Sequence, residues 1–235
     1  MTTIPPDSAR DAILRAALDH VPFEGWSDAT FRAAVADAGV APALARALFP
    51  RGAVDLALGW HRQGDAAMAL RLATADLAGM RYRDRVAFAI RARLEAAGDK
   101  ESVRRATTLF ALPMHAADGT RALWGTADAI WRALGDTSTD VNWYTKRATL
   151  SAVYGAAVLF WLGDDSPGDQ ATHDFVGRRI DDVMQIEKLK GQLRENPVTR
   201  PLAAATDRLF GWIRAPRDTG DLPGQGADPF ADRRG

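Results

Sequence analysis

Cysteine is absent from this chain of 235 residues, which excludes disulfides and thiolate metal sites. Net charge is missing too: 30 Lys and Arg balance 30 Asp and Glu. A neutral chain lacks the basic surface that neutralises phosphates on duplex DNA, so no nucleic-acid partner is expected. Lysine occurs only at 100, 146, 188 and 190. With so much arginine and alanine, the chain has the coding bias of a GC-rich bacterial genome. Long hydrophobic runs are also lacking. The longest, Ala148 to Leu162, is shorter than the ~20 residues that span a bilayer. Met1 to Asp11 carries no apolar core of a signal peptide. No stretch alternates apolar and polar residues over a strand's length, so the protein is expected to be all-α.

Nearly half of the residues are hydrophobic, enough for a large helical core. The stretch Asn142 to Leu162 organises that core. It reads as one helix, with Asp140 or Asn142 as N-cap. One face carries Trp143, Arg147, Leu150, Tyr154, Val158 and Trp161; the other carries Ala148, Ala152, Gly155 and Ala156. So apolar a helix is expected to be buried on nearly every side. A turn at Gly163–Gly168 leads to a second helix, about Gln170 to Lys190, where Arg178 and Asp182 are spaced for an i,i+4 pair. The two form a helical hairpin.

Upstream, Ser8 can cap a first helix over Ala9–His20, which Pro22 ends. Ser27 caps a second over Asp28–Asp37. Gly39 makes the turn into a third over Pro42–Leu48, giving the layout of a helix-turn-helix. Longer helices follow from Gly52 to about Gly79, from Asp84 or Arg85, and from Glu101 to Leu112. Asp118 caps the next, on which Thr120, Trp124, Ala127, Trp131 and Leu134 share a face.

None of His20, His61, His115 and His173 has the spacing that sets two ligands on one helical face, and each reads as a surface or helix-end residue. No nucleophile, paired carboxylate or cofactor motif stands out, so no metal, cofactor or catalytic activity is expected. Arg147, the charge in the central helix, reads as a structural ion-pair partner. The aromatic stripe admits two readings, ordinary core or the wall of a lipid pocket. Arg200 to Arg214 also admits two. Leu202, Leu209, Phe210, Trp212 and Ile213 could contact a membrane, or the segment could pack back on the body.

The N-terminal part resembles the TetR repressor domain at Ile13–Leu18, Phe23–Trp26, Thr30, Ala38-Gly39-Val40 and Phe49-Pro50. The third helix departs from it: Ala43, Leu44, Ala45, Ala47 and Leu48 leave Arg46 as its only polar base reader. The C-terminal part resembles one family in particular, on Asn142-Trp143-Tyr144-Thr145, Arg147, Leu150, Tyr154, Asp165-Ser166-Pro167, Thr172, Phe175 and Arg179-Ile180-x-Asp182-x-Met184. That family is the TetR-like lipid-binding protein of ubiquinone biosynthesis, the ninth Coq protein; the Ala89–Glu95 run fits it too. The resemblance implies a non-catalytic, TetR-like homodimer that holds an isoprenoid lipid or quinone and presents it to the demethoxyubiquinone hydroxylase.

On this basis residues 1–50 are expected to form a degenerate helix-turn-helix domain and 51–195 a lipid-binding and dimerisation domain. Residues 196–216 are expected to form a membrane-contacting amphipathic helix, and 217–235 a disordered tail. The expected lipid-binding residues are Trp124, Ala127, Trp131, Trp143, Leu150, Tyr154, Val158 and Trp161. The expected docking residues are Asp165, Ser166, His173, Phe175 and Arg179; His173 stands where the family often has tryptophan. The expected location is the bacterial cytoplasm, peripheral on the inner membrane. The alternative function is a TetR-family ligand-responsive transcriptional repressor.

Overall fold

The computed structural model describes residues 5–195, with side chains as far as residue 185. The expected membrane residues Leu202, Leu209, Phe210, Trp212 and Ile213 and the expected tail lie outside the described residues. Among those described there are nine α-helices and no strand: α1 (Pro6–Glu24), α2 (Asp28–Asp37), α3 (Pro42–Leu48), α4 (Ala53–Thr74), α5 (Tyr82–Glu95), α6 (Lys100–Ala111), α7 (Ala116–Ala133), α8 (Val141–Trp161) and α9 (Gln170–Glu195). No described helix is long and apolar enough to cross a membrane.

The first three helices bury Ile13, Leu14, Val21, Phe31, Val35 and Phe49 against one another. Ser27 caps α2, its hydroxyl accepting the Thr30 amide at 3.1 Å. Gly39, at φ +62°, supplies the left-handed turn before α3. Two expectations need correction here. The first helix starts at Pro6, so Ser8 is not its cap, and it runs through Pro22 to Glu24. A proline this close to a helix end removes one backbone donor without breaking the remaining turn. Leu56 and Ala57, in the first turns of α4, also pack in this N-terminal core.

The second core gathers α4, α5, α7, α8 and α9 around Met68, Ile90, Ile130, Leu150, Tyr154 and Val176. Asp140 caps α8, accepting the Asn142 amide at 3.0 Å. Asp118 does not cap α7, which begins at Ala116. It is buried and paired with Arg51 and Arg121, each at 2.9 Å. The loop between α8 and α9 is a built cap. Asp164 accepts the amides of Ser166 at 2.9 Å and Thr172 at 2.7 Å, and the Thr172 hydroxyl at 2.6 Å. These hydrogen bonds hold its carboxyl well below the usual carboxylate range. Lys100, at the start of α6, donates to the Asp164 carbonyl at 2.6 Å and to Asp169 at 2.7 Å. Asp169 in turn accepts the Trp161 indole N–H at 2.8 Å. The hairpin is thereby fastened to α6.

Helix α8 is not buried on every side in the single chain. Its aromatic face packs inward, while Ala148 and Ala152 are exposed and Leu159 is 63% exposed. The i,i+4 pair expected on α9 is also replaced: Asp182 pairs with Arg179, three residues back, at 2.8 Å.

Candidate functional site

A cavity of about 400 Å³ lies among α4, α5, α6, α7 and α8. Apolar side chains make most of its wall: Trp60 from α4, Leu94 from α5, Val103 and Phe110 from α6, Leu123 from α7, Val158 and Trp161 from α8. The exposed lining residues Ala111, Ala116, Thr120 and Leu159 mark its open side. Helices α6 and α7 approach closely there because residue 119 is glycine. A β-carbon at Gly119 would stand 2.8 Å from that of Phe110, inside van der Waals contact.

One end of the cavity is polar. Arg93 is 3% exposed, and its Nε donates to Asp65 at 2.6 Å. Its Nη2 donates to the His61 carbonyl at 3.0 Å and lies 3.2 Å from His61 Nδ1. A guanidinium can only donate, so Nδ1 is an acceptor and the imidazole proton sits on Nε2. That Nε2–H donates to Thr126 Oγ1 at 2.8 Å, and the Thr126 hydroxyl donates to Asp65 at 2.8 Å. The four side chains thus form a ring of hydrogen bonds running from Arg93 through His61 and Thr126 to Asp65. Burial, and next the neighbouring Arg93 charge, push His61 down to about 4. The guanidinium can enter this site because residue 64 is glycine: a β-carbon there would meet Arg93 Nη1 at 2.7 Å.

Of the residues expected to bind lipid, Tyr154, Val158 and Trp161 line this cavity, and the others lie elsewhere. Trp124 packs with Trp143 and Tyr144, ring centroids 5.8 and 6.4 Å apart, in an aromatic cluster between α7 and the start of α8. Ala127 is buried in the core. Trp131 and Leu150 line a separate space of about 170 Å³ bounded by α5, α7, α8 and α9, where Trp131 stacks on Tyr82. Beyond Thr120 the α7 stripe points past the cavity: Trp124 meets Trp143 at the start of α8, and Trp131 meets Tyr82 of α5. Arg147 is an ion-pair partner: it donates to Asp128 at 2.6 Å and Asp136 at 3.2 Å, under the Trp143 ring.

The expected docking residues divide. Asp165 is exposed, and His173 is half-buried. Phe175 stacks on Phe160 with centroids 4.4 Å apart, and Arg179 lies over the Phe175 ring. Ser166 is structural, its hydroxyl accepting the Ala171 amide at 3.0 Å. Sequence reasoning missed Arg93, Asp65, Thr126 and the whole contribution of α6, and it set His61 on the surface. The Val103, Ala106, Phe110 stripe was a usable signal for α6. His61 and Asp65 are i,i+4 on α4, but nothing local connects them to positions 93 and 126.

The model of the family described as COQ9 matches residues 116–187. The ubiquinone biosynthesis protein coq9 of Schizosaccharomyces pombe, named as mitochondrial, is 32% identical over 190 residues, covering 78% of this chain and 73% of that protein. The chain belongs to the COQ9 family. The Drosophila melanogaster COQ9 protein is 30% identical over 79% of the chain, and the human one 29% identical over 77%. The chain spans 58% and 59% of the length of these two relatives. Among solved structures, the TetR transcriptional regulator from Nitrosomonas europaea superposes with a TM-score of 0.60 at 19% identity, over 73% of this chain and 95% of that one. The COQ9-family chain therefore has the TetR-like helical fold. The expected bacterial cytoplasmic location is overturned, because the COQ9 relatives it matches are named as mitochondrial proteins of eukaryotes.

Proposed function

We propose that this chain is a non-catalytic, lipid-binding accessory protein of ubiquinone biosynthesis. It holds an isoprenoid quinone intermediate in the α4–α8 cavity and presents it to the demethoxyubiquinone hydroxylase. The observation that carries this reading is the cavity itself: about 400 Å³, apolar over most of its wall, with one open side. That volume falls within the roughly 300–1,000 Å³ of small-molecule sites. A prenyl chain placed against Val103, Phe110, Leu123 and Val158 gains about 0.8 kcal/mol for each buried CH₂. The absence of catalysis is supported by His61, the cavity's imidazole, whose two nitrogens are both committed to the Arg93–Thr126 ring and which is neutral at pH 7. The docking role is assigned to the exposed surface around Asp165, His173, Phe175 and Arg179.

The repressor alternative is weaker. On α3 the exposed residues are Pro42, Ala43, Arg46 and Ala47. The Arg46 guanidinium lies over the Phe31 ring at 4.9 Å, held back on its own bundle.

Gly155 supplies the test. It lines the cavity, and a β-carbon there meets Leu123 at an ordinary 3.5 Å. Gly155→Leu should fill the cavity while improving helix propensity by roughly 1 kcal/mol. The variant should keep its melting temperature, lose most co-purifying isoprenoid lipid in extracts, and leave the demethoxy intermediate to accumulate in cells. Unchanged lipid content and unchanged quinone levels would show that the cavity is not the binding site.

A further inference from the structure

Tyr154 is 3% exposed, yet no described residue hydrogen-bonds its hydroxyl. Tyr154 lines the cavity. Arg93 lines the same cavity, its guanidinium carbon 5.8 Å from the centre of the Tyr154 ring. It spends Nε and Nη2 on Asp65 and His61, while Nη1 has no hydrogen-bond partner among the described residues. Two donors therefore remain unused at the polar end of a largely apolar chamber, Nη1 lying beside Gly64, and an unmade hydrogen bond there is costly. Both are donors of fixed character. Burial raises the Tyr154 phenol above its ordinary value, which keeps it protonated, and a guanidinium carries no acceptor.

The charge balance of the site selects what they receive. Asp65, at 2.6 Å, already neutralises Arg93, and His61 is uncharged. A carboxylate or phosphate head would bring an uncompensated negative charge into a buried site. A neutral oxygen with two lone pairs brings none and accepts from either donor.

We propose that Tyr154 and Arg93 form a head-group subsite for a neutral carbonyl oxygen, carried by an amphiphile whose chain lies along Val103, Phe110, Leu123 and Val158. The inference rests on the reading that the cavity holds a lipid, and it specifies the end of the lipid that is recognised. Tyr154 is then a specificity determinant and Gly64 a positioning residue, because only glycine there leaves room for the guanidinium.

The test incubates the delipidated full chain with equal amounts of three probes: a benzoquinone bearing a short isoprenoid chain, an isoprenoid hydrocarbon of matched length, and a saturated fatty acid. Retained ligand is quantified by extraction and mass spectrometry after gel filtration. Wild type should retain the quinone about tenfold over the hydrocarbon, as expected for one or two hydrogen bonds in an apolar site, and should retain little fatty acid. Tyr154→Phe removes only an oxygen, so the fold should survive; its quinone preference should fall toward unity while hydrocarbon retention stays the same. Arg93→Lys, verified as folded by circular dichroism, should lose part of the preference. Equal retention of quinone and hydrocarbon by wild type, a preference that survives in Tyr154→Phe, or dominant fatty-acid retention each overturns the subsite while leaving the cavity reading intact. Retention of no probe overturns both.

Discussion

His61 shows how much one side chain in this protein depends on its neighbours. It faces Arg93 from α5, Thr126 from α7, and Asp65 and Arg62 from its own helix. Burial and the Arg93 charge keep it neutral down to about pH 4, whereas in an unfolded chain it titrates near 6.5. Above that value both states are neutral and His61 contributes no pH dependence. Between 6.5 and about 4 the unfolded chain takes up the proton first, so stability falls as pH falls, by about 3 kcal/mol across the window. His61→Gln should remove this component. Urea melts at pH 7 and pH 4.5 should therefore show a smaller acid penalty for the variant than for wild type. Parallel pH profiles for the two proteins would show that the imidazole titrates normally in the fold.

At the scale of elements, α8 carries both the clearest success and the clearest failure of reading the sequence. Its existence follows from local rules, a polar acceptor ahead of a periodic apolar run, and of the two cap candidates Asp140 and Asn142 the structure uses Asp140. The same is true of Ser27 and α2, and of the glycine turn before α3. Which way the α7 stripe points does not follow from such rules. Trp124, Ala127 and Trp131 share a face, but whether that face meets a cavity, an aromatic cluster or plain core is set by side chains of other helices, Tyr82 of α5 and Trp143 and Tyr144 of α8. The polar end of the site was hidden for the same reason, since Arg93 sits in a run that looks like any charged helix face. The outer face of α8 leads to a prediction. Ala148 and Ala152 are exposed, Leu159 is 63% exposed, and Phe160 stacks on Phe175 of α9. A small-residue strip beside large apolar groups suits the close approach of a second hairpin, so the chain should dimerise through α8 and α9. Light scattering at micromolar concentration should give twice the chain mass for wild type, and Ala152→Trp should shift it toward one chain through overpacking. A monomeric wild type rules the hairpin out as an interface.

For the molecule as a whole, the cavity lies along the boundary between the two cores. Ala57 and Ala106 in its wall belong to the N-terminal core, and Leu94, Val103, Tyr154 and Trp161 to the other. Trp60 packs against both and stacks near Trp26, centroids 5.2 Å apart. The Trp26 indole crosses the same boundary, donating to the Ser102 carbonyl of α6 at 3.1 Å. A molecule seated there touches both halves, and its binding free energy is therefore shared between them. Emptied of ligand, the two cores remain joined by α4, which gives Leu56 and Ala57 to one and Met68 and Leu72 to the other, but with a void between them they should unfold less cooperatively. Filled, they should melt together. Calorimetry of the delipidated chain should show two overlapping transitions that merge into one, at higher temperature, when the site is saturated. A single transition unaffected by ligand would mean the halves are already welded. If the cavity holds a lipid as proposed, the bound molecule would be part of what makes the protein one cooperative unit, and its loss should loosen the coupling between the two cores.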